Sequence, residues 1–337
     1  MEKYVQIFVS FLVITASILI PNLQEAASDG LFEETLPPAS VGDRVASLYT
    51  KISPPVLTSD TVQNAFFQLR LFDSNTMNNI TNVNYFLTIN KEDKVLLREL
   101  FYSKEGPLTL KFRPDNGPIR IHGSIEPFLG GRTSETGDIT VSGPVLTEGG
   151  LYHFVVEVFG IDNVRNIFVP ENAPRFDSYL SIGDVYTTNL TYGNKNFNTT
   201  LISYYDRVQN FTFERDDLKA EWKMPFNWNV SRIREQNIFV HEEISIPKPS
   251  PFANQSYSGE INGIPLTAKM LMIDPTNSTR DIIHFMIPKD ELISLAESVN
   301  KDGNSTNKFM NFGLKLGGNV SSQASMMNMN MSSMSSG

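Results

Sequence analysis

Short runs of alternating apolar and polar residues, separated by Asn, Asp, Gly and Pro, constrain the fold of this chain more than any other feature. A period of two places successive side chains on opposite faces of a β-strand, and the separating residues favour turns. Fifteen such runs are found: 62–72, 83–89, 95–102, 108–112, 119–122, 138–141, 151–159, 185–192, 198–205, 210–214, 220–224, 237–246, 256–261, 266–273 and 282–287. The pattern predicts a mainly β chain.

A segment with two prolines, 161–178, interrupts this alternation and divides the runs into two groups. Interruptions of this kind mark domain boundaries. Closely spaced strands without long helical periods are typical of antiparallel sandwiches. We therefore predict two tandem antiparallel β-sandwich domains, one over residues 61–165 and a second over residues 176–300.

The segments that flank these two domains have different compositions. Residues 28–60 carry two Pro-Pro pairs and predict an extended linker. Residues 301–337 are rich in Asn, Ser and Met and predict a disordered tail. Just before that tail, helical spacing of apolar residues predicts one short helix over 290–299. The apolar residues at that spacing are Leu292, Leu295, Ala296 and Val299.

The segment from Glu148 to Phe154 contains a local motif of the first domain. Tyr152 follows two glycines and precedes a continuous apolar strand. This resembles the tyrosine corner of immunoglobulin-like domains, in which the Tyr hydroxyl hydrogen-bonds to the backbone upstream. Phe154 stands where antibody domains place a cysteine, and its ring can fill the same volume between the sheets. An edge tyrosine after a turn is the alternative, but the motif favours an immunoglobulin-like first domain.

The N-terminal segment has the features of an export signal. One Lys precedes a mostly apolar stretch, 5–20, which is followed by Pro21 and the small residues Ala26 and Ala27. We predict a signal peptide over residues 1–27 and a location outside the cytoplasmic membrane, either extracellular or in the cell envelope. Retention as a short N-terminal membrane anchor is one alternative, and a buried N-terminal core helix is a second.

Composition excludes several functional classes. The chain has no cysteine, so disulfides, thiolate metal sites and thiol nucleophiles are impossible. Its formal net charge is −9, which argues against a surface that binds nucleic acid through phosphates. It lacks the G-x-S-x-G motif of serine hydrolases and a Gly-rich phosphate loop. We therefore do not expect an enzyme.

The four histidines are few and dispersed. His122 and His153 lie on strands of the first domain, and structural or solvated roles are the default expectation for all four. In the second domain, the sequence His241-Glu242-Glu243 and His284 lie on separate strands. A cluster of two histidines and one carboxylate is conceivable there. The spacing of these residues does not enforce it.

Asn-x-Ser/Thr triplets occur at ten positions, nine of them after residue 180. Each is an acceptor for a hydrophilic sugar in an exported chain of a host that glycosylates. Incidental triplets in Asn- and Thr-rich strands are the alternative. The candidate acceptors are Asn79, Asn189, Asn198, Asn210, Asn229, Asn254, Asn277, Asn304, Asn319 and Asn330.

Two further patterns suggest that the chain binds cations. The tail places five methionines within nine residues, and thioethers select Cu(I), although an inert low-complexity tail is the simpler interpretation. These methionines are Met326, Met327, Met329, Met331 and Met334. Acidic loop residues suggest structural calcium without forming a spaced calcium-binding loop. They are Asp115, Glu135, Asp138, Asp216 and Asp217.

Two segments, 133–163 (TSETGDITVSGPVLTEGGLYHFVVEVFGIDN) and 222–248 (WKMPFNWNVSRIREQNIFVHEEISIPK), carry a family resemblance. They resemble a group of uncharacterised exported β-rich proteins of ammonia-oxidising archaea. The resemblance covers most of residues 61–300 and implies no catalytic residues. It implies a cell envelope with an N-glycosylated protein lattice, and a copper-rich physiology.

Together these features predict an exported, non-enzymatic protein of the cell envelope or the secreted fraction. Its expected roles are surface association, adhesion or ligand binding, and its expected partners are other envelope proteins or surface glycans. One alternative is a copper-handling accessory protein that uses the Met-rich tail, with His241 or His284. A second alternative is a secreted enzyme that acts on polysaccharides.

Overall fold

A computed structural model describes residues 32–192, 194–214, 217–248, 256–274, 276–301 and 308–316. Over these residues the chain is mainly β, with 23 strands and two α-helices. The helices are α1 (Val230–Glu235) and α2 (Lys289–Lys301). The prediction of a mainly β chain with a helix near residues 290–299 is therefore confirmed. The predicted signal peptide, 1–27, lies outside the described residues.

The strands before the middle of the chain are β1 (Glu33–Thr35), β2 (Ala39–Val41), β3 (Arg44–Ser53), β4 (Val56–Leu57), β5 (Phe66–Asp73), β6 (Val83–Lys91), β7 (Lys94–Ser103), β8 (Leu108–Pro114), β9 (Arg120–His122), β10 (Ser124–Ile125), β11 (Arg132–Thr133), β12 (Asp138–Gly143) and β13 (Gly150–Gly160). The remaining strands are β14 (Arg175–Tyr192), β15 (Lys195–Ser203), β16 (Gln209–Glu214), β17 (Lys219–Pro225), β18 (Val240–Pro247), β19 (Tyr257–Ile261), β20 (Ile264–Pro265), β21 (Leu271–Asp274), β22 (Arg280–Ile287) and β23 (Phe309–Leu316).

The strands form three sheets. Sheet I has the order β1-β3-β5-β8-β12-β9, with β2 paired to β3. Sheet II has the order β10-β11-β7-β6-β13-β14-β15-β18-β22-β21, with β4 paired to β14, and sheet III has the order β16-β17-β23-β19-β20. One apolar core contains residues of sheet I and of the first half of sheet II, and the other contains residues of sheet III and of the second half of sheet II. Sheet II thus contributes to both sandwiches.

Strand β14 connects the two cores. Its first half pairs with β13 and its second half pairs with β15. Ile182 belongs to the first core and Leu190 to the second. The boundary between the two cores therefore lies inside β14, between Ile182 and Leu190. The sequence predicted this boundary earlier, in the proline-bearing segment 161–178. Segment 161–178 instead connects β13 to β14, which are neighbours in sheet II.

Three strand pairs within the described residues are parallel. They are β8 with β12, β7 with β11, and β4 with β14. Every other pair between named strands is antiparallel. The parallel pairs join strands distant in sequence, which no local turn signal could predict.

The prediction of an extended linker over residues 28–60 is wrong for the part that the structure describes, residues 32–60. Residues 32–60 contain β1 to β4, and β3 lies between β1 and β5 in sheet I. Leu48 and Ile52 of β3 are fully buried. The Pro-Pro pairs lie between strands, where the missing backbone N–H breaks no ladder hydrogen bond. They therefore separate strands instead of preventing them.

The prediction of a disordered tail over residues 301–337 is wrong for residues 309–316. These residues form β23, which pairs with β17 on one side and β19 on the other. Met310 and Leu314 are fully buried in the second core. The alternation of Met310, Phe312, Leu314 and Leu316 is a strand pattern, and burial of these side chains offsets the entropy of ordering the segment. Residues after 316 lie outside the described part of the chain.

The tyrosine corner of the first sandwich is confirmed. The hydroxyl of Tyr152 donates to the backbone carbonyl of Glu148 at 2.5 Å. Burial raises the pKa of Tyr152 far above its ordinary value, so this hydroxyl keeps its proton. Phe154 of sheet II stacks on Phe67 of sheet I with ring centroids 4.0 Å apart. A phenyl pair thus joins the sheets where antibody domains use a disulfide.

Within the described residues, no helix combines the length and the apolar character needed to cross a membrane. The longer helix, α2, has 13 residues, and Leu292 and Ala296 on its apolar side are fully buried in the second core. This helix is therefore accounted for by packing within the second sandwich.

Replacing Tyr152 with Phe should lower the free energy of unfolding by about 1–2 kcal/mol, because the part-buried hydrogen bond to the carbonyl of Glu148 is lost. The matched control is Tyr49→Phe, whose exposed hydroxyl donates to Glu33; a change below about 0.5 kcal/mol is expected there. Urea unfolding followed by fluorescence measures both. Equal effects in the two variants would contradict a structural role for the corner.

Candidate ligand-binding groove

A groove of about 820 Å³ lies where the two sandwiches meet. The turn between β6 and β7 contributes Glu92 and Asp93 from the first sandwich. The turn after β15 contributes Tyr205 and Asp206, and α1 contributes Arg232, all from the second sandwich. Both units therefore supply walls of the groove.

The segment Pro225–Val230 forms one wall because its aromatic residues anchor it. Trp228 donates its indole N–H to the backbone carbonyl of Phe309 at 3.1 Å. The rings of Phe226 and Trp228 are 4.6 Å apart, and both side chains are buried. Asn229 caps α1 by accepting from the backbone N–H of Arg232 at 3.1 Å. This wall is therefore fixed to β23 and to the start of α1.

The tyrosine corner holds the opposite side of the groove. The backbone N–H of Leu151 donates to the carbonyl of Tyr205 at 2.7 Å. Lys91, which is buried, donates to the carbonyl of Gly149 at 2.8 Å and forms an ion pair with Glu148 at 3.0 Å. The same Gly-Gly turn that introduces Tyr152 thus also positions Tyr205.

Asp206 is the groove residue with the most altered ionisation. Burial, together with a hydrogen bond from the neighbouring Glu92 carboxyl and repulsion by its charge, raises the pKa of Asp206 to about 7. A partly protonated carboxyl at neutral pH can both donate and accept hydrogen bonds. Arg232 donates to the hydroxyl of Tyr205 at 3.1 Å, which places a cation near this pair.

A second buried carboxyl lies beneath the groove. Glu242 is fully buried, and burial raises its pKa well above the ordinary range. The hydroxyl of Ser203 lies 2.8 Å from Glu242 Oε1 and 2.7 Å from the carbonyl of Asp206. Because one hydroxyl proton cannot serve two acceptors, protonation of Glu242 at Oε1 allows both contacts of the Ser203 hydroxyl to be hydrogen bonds, while Glu242 Oε2 is buried without a partner among the described residues. Neutral Glu242 is therefore a structural group.

Six of the ten predicted sugar acceptors lie within the described residues. Asn79, Asn189, Asn198, Asn210 and Asn229 are exposed, and Asn277 is half-buried. Asn189 and Asn198 are directly opposite each other on β14 and β15. Asn210 and Thr212 are exposed while Phe211 and Phe213 are half-buried, as their alternation predicts. The candidates outside the described residues are Asn254, Asn304, Asn319 and Asn330.

The predicted cation ligands separate into three sets. The five tail methionines, Met326 to Met334, lie outside the described residues. Asp115 is paired with Arg120, and Asp138 with Lys111 at 2.6 Å. Within the described residues, one group alone brings three histidine or acidic ligand atoms within reach of one ion: His241, Glu243 and His284.

The first-domain histidines have local partners. His122 is exposed and contacts the hydroxyl of Ser142 at 3.0 Å. His153 stacks on Tyr179 at 4.2 Å and lies 2.8 Å from an oxygen of Asp177. Burial lowers the pKa of His153 below its ordinary value, although the Asp177 carboxylate opposes this effect. Both contacts agree with structural roles.

Sequence reasoning missed the residues of the groove. The available signal was the segment PFNWN, 225–229, which breaks the strand alternation with aromatic and amide residues. Tyr205, Asp206 and Arg232 carry no motif, because they approach one another only after folding. No known protein family, curated protein or solved structure matches the chain. The function must therefore be argued from the site itself.

Replacing Asp206 with Asn should flatten the pH dependence of stability. The pKa is raised in the folded state, so the folded protein holds the proton more tightly, and stability falls as pH rises from about 4 to about 7. The variant should gain stability relative to the native chain over that window, by an amount on the order of 1–4 kcal/mol. Urea unfolding at several pH values measures it. Asp93→Asn, an exposed change in the same groove, should show no such window; a parallel gain there would refute the assignment.

Proposed function

We propose that this chain is an exported protein of the cell envelope or the secreted fraction that binds a surface glycan, without chemical conversion, in the groove between its sandwiches. The observation that carries this proposal is the groove itself. Its volume of about 820 Å³ is within the range of about 300–1,000 Å³ that is typical of small-ligand sites. That size accommodates a short oligosaccharide segment.

The polar groups of the groove favour a neutral polyhydroxylated ligand. Carboxylates accept hydrogen bonds, Arg and Lys donate them, and amides do both, so the wall can match hydroxyls in either role. Two acidic side chains and two basic side chains give this set a balanced charge, apart from the titrating Asp206. The groups concerned are Glu92, Asp93, Asn227, Asn229, Arg232, Asn300 and Lys308.

The groove also offers a narrow apolar floor. The rings of Tyr205 and Phe226 are 5.2 Å apart, and Phe226 contacts Trp228. Aromatic side chains provide flat apolar surfaces at low conformational cost. These three side chains are only 4–7% exposed, so a sugar would make most of its contacts with the polar rim.

Features outside the groove support a location on the cell surface. The N-terminal sequence has the pattern of an export signal, and nine of the ten Asn-x-Ser/Thr triplets follow residue 180. Five of the six described triplet asparagines are exposed. A β-sandwich with sugars on its surface suits contacts with envelope glycans and with other envelope proteins.

Replacing Arg232 with Ala should weaken glycan binding about 10- to 100-fold, because the groove loses a charged donor. A panel of neutral, acidic and basic oligosaccharides on an array, followed by calorimetry on those retained, measures the effect. Arg234→Ala is the matched control, since Arg234 lies on the same helix and pairs with Glu297 at 3.0 Å outside the groove. Absence of binding across the panel, or equal losses in both variants, would contradict the proposal.

The intact mass of protein isolated from its native host should show both export and glycosylation. Cleavage after residue 27 lowers the mass below the 37.8 kDa of the full chain, and attached sugars raise it in discrete steps. The double variant Asn189→Gln, Asn198→Gln should lose up to two sugar masses. Asn172→Gln, which alters no triplet, is the control. A full-length, unmodified mass in the cytoplasmic fraction would rule out the proposed location.

A further inference from the structure

His241, Glu243 and His284 come together on the two paired strands β18 and β22. Glu243 lies directly opposite His284, and His241 lies two pairs further along, opposite Met286. In an antiparallel ladder, alternate residues of a strand share a face, and opposed residues share it too. These side chains therefore lie on the face of the sheet opposite to Ile244 and Ile283 of the second core.

The distances suit shared ligation. Nε2 of His241 lies 3.1 Å from Nδ1 of His284, and the candidate ligand atoms of all three residues lie within 4.8 Å of one another. Two nitrogens bound at about 2.0–2.1 Å to one tetrahedral ion are separated by about 3.3 Å. The two imidazoles are thus already at a separation close to that of metal ligands, and a small movement of Glu243 completes a three-ligand set.

Hydrogen bonding accounts for only one ring nitrogen of the buried His241, since Nε2 lies at hydrogen-bond distance from Nδ1 of His284. Its side chain is 1% exposed and stacks on Tyr204 with ring centroids 4.8 Å apart. Within the described part of the chain, its Nδ1 atom is buried without a hydrogen-bond partner. A buried unpaired polar atom costs free energy that a phenyl ring at this position would avoid.

The chemistry of the neighbourhood indicates the class of ion. Two imidazoles and one carboxylate suit divalent first-row transition metals, for which copper has the highest general affinity. Met286 lies opposite His241, and Met272 lies opposite His284 on β21, so two thioethers flank the cluster. Soft sulfur atoms add a further preference for copper over magnesium or calcium.

We propose that His241, Glu243 and His284 bind one divalent first-row transition ion, and that copper binds more tightly than zinc. None of the three lines the glycan groove, so the proposal stands or fails independently of glycan binding. It is also separate from the Met-rich tail, which lies outside the described residues.

The test uses the full chain, purified without a polyhistidine tag and stripped with a chelator. Calorimetric titration with Cu²⁺ and with Zn²⁺ should give one site per chain, while Mg²⁺ should give none. His284→Ala and His241→Phe should each lower the affinity at least about 100-fold, and Glu243→Gln about 10- to 100-fold. His241→Phe keeps the stacked ring, and His284→Ala alters a half-buried side chain, so at least one variant is expected to fold.

Two controls distinguish this site from others. His122→Ala removes an exposed imidazole elsewhere and should leave the affinity unchanged. A variant with leucine at the five tail methionines should also keep the site. Electron paramagnetic resonance of the Cu²⁺ complex should show coupling to two nitrogens, which is lost in His284→Ala. Unchanged affinity in the cluster variants, loss of the site in the tail variant, or no binding by the native chain would overturn the proposal.

Discussion

The continuous hydrogen-bond ladder through β14 is the constraint on which the rest of the structure depends. This 18-residue strand pairs with β13 over its first half and with β15 over its second half. The register of its first half therefore constrains β13, and the register of its second half constrains β15. The two sandwiches are consequently not independent units on a flexible tether. The shared sheet therefore determines the shape of the groove between the two sandwiches.

Polar groups buried near the junction reinforce that arrangement. Lys91 reaches the Gly149 carbonyl and Glu148, while Ser203 links Glu242 to the backbone of Asp206. Groups of this kind are costly unless all of them are satisfied. The two contacts of the Ser203 hydroxyl require protonation of Glu242 and a fixed path for the turn at Asp206. The same turn positions the groove residues, so the stability of the junction and the geometry of the groove have a common origin.

Much of the fold was predictable because it depends on local periodicity. The strands 83–89 and 151–159, the helix near 290–299 and the corner at Tyr152 all follow from residues close in sequence. The failures have a common cause. Segments 28–60 and 301–337 were interpreted by average composition, and their prolines or asparagines obscured the strands β3 and β23. These strands are ordered by partners far away in the chain, which composition does not reveal.

By itself, the sequence determined the secondary structure type, the exclusion of cysteine chemistry and the inventory of groups available for binding. Tertiary structure alone decided which of these groups meet. His241 and His284 are 43 residues apart, and the register of β18 with β22 brings their nitrogens to 3.1 Å. A shift of one residue would place one of them on the opposite face. Tyr205, Asp206 and Arg232 converge for a related reason, since only the packing of two sandwiches along one sheet creates the groove. The sequence sets which side chains are available, whereas a site also depends on the distances between them. Those distances are set only when strands that are far apart in the sequence pair with each other.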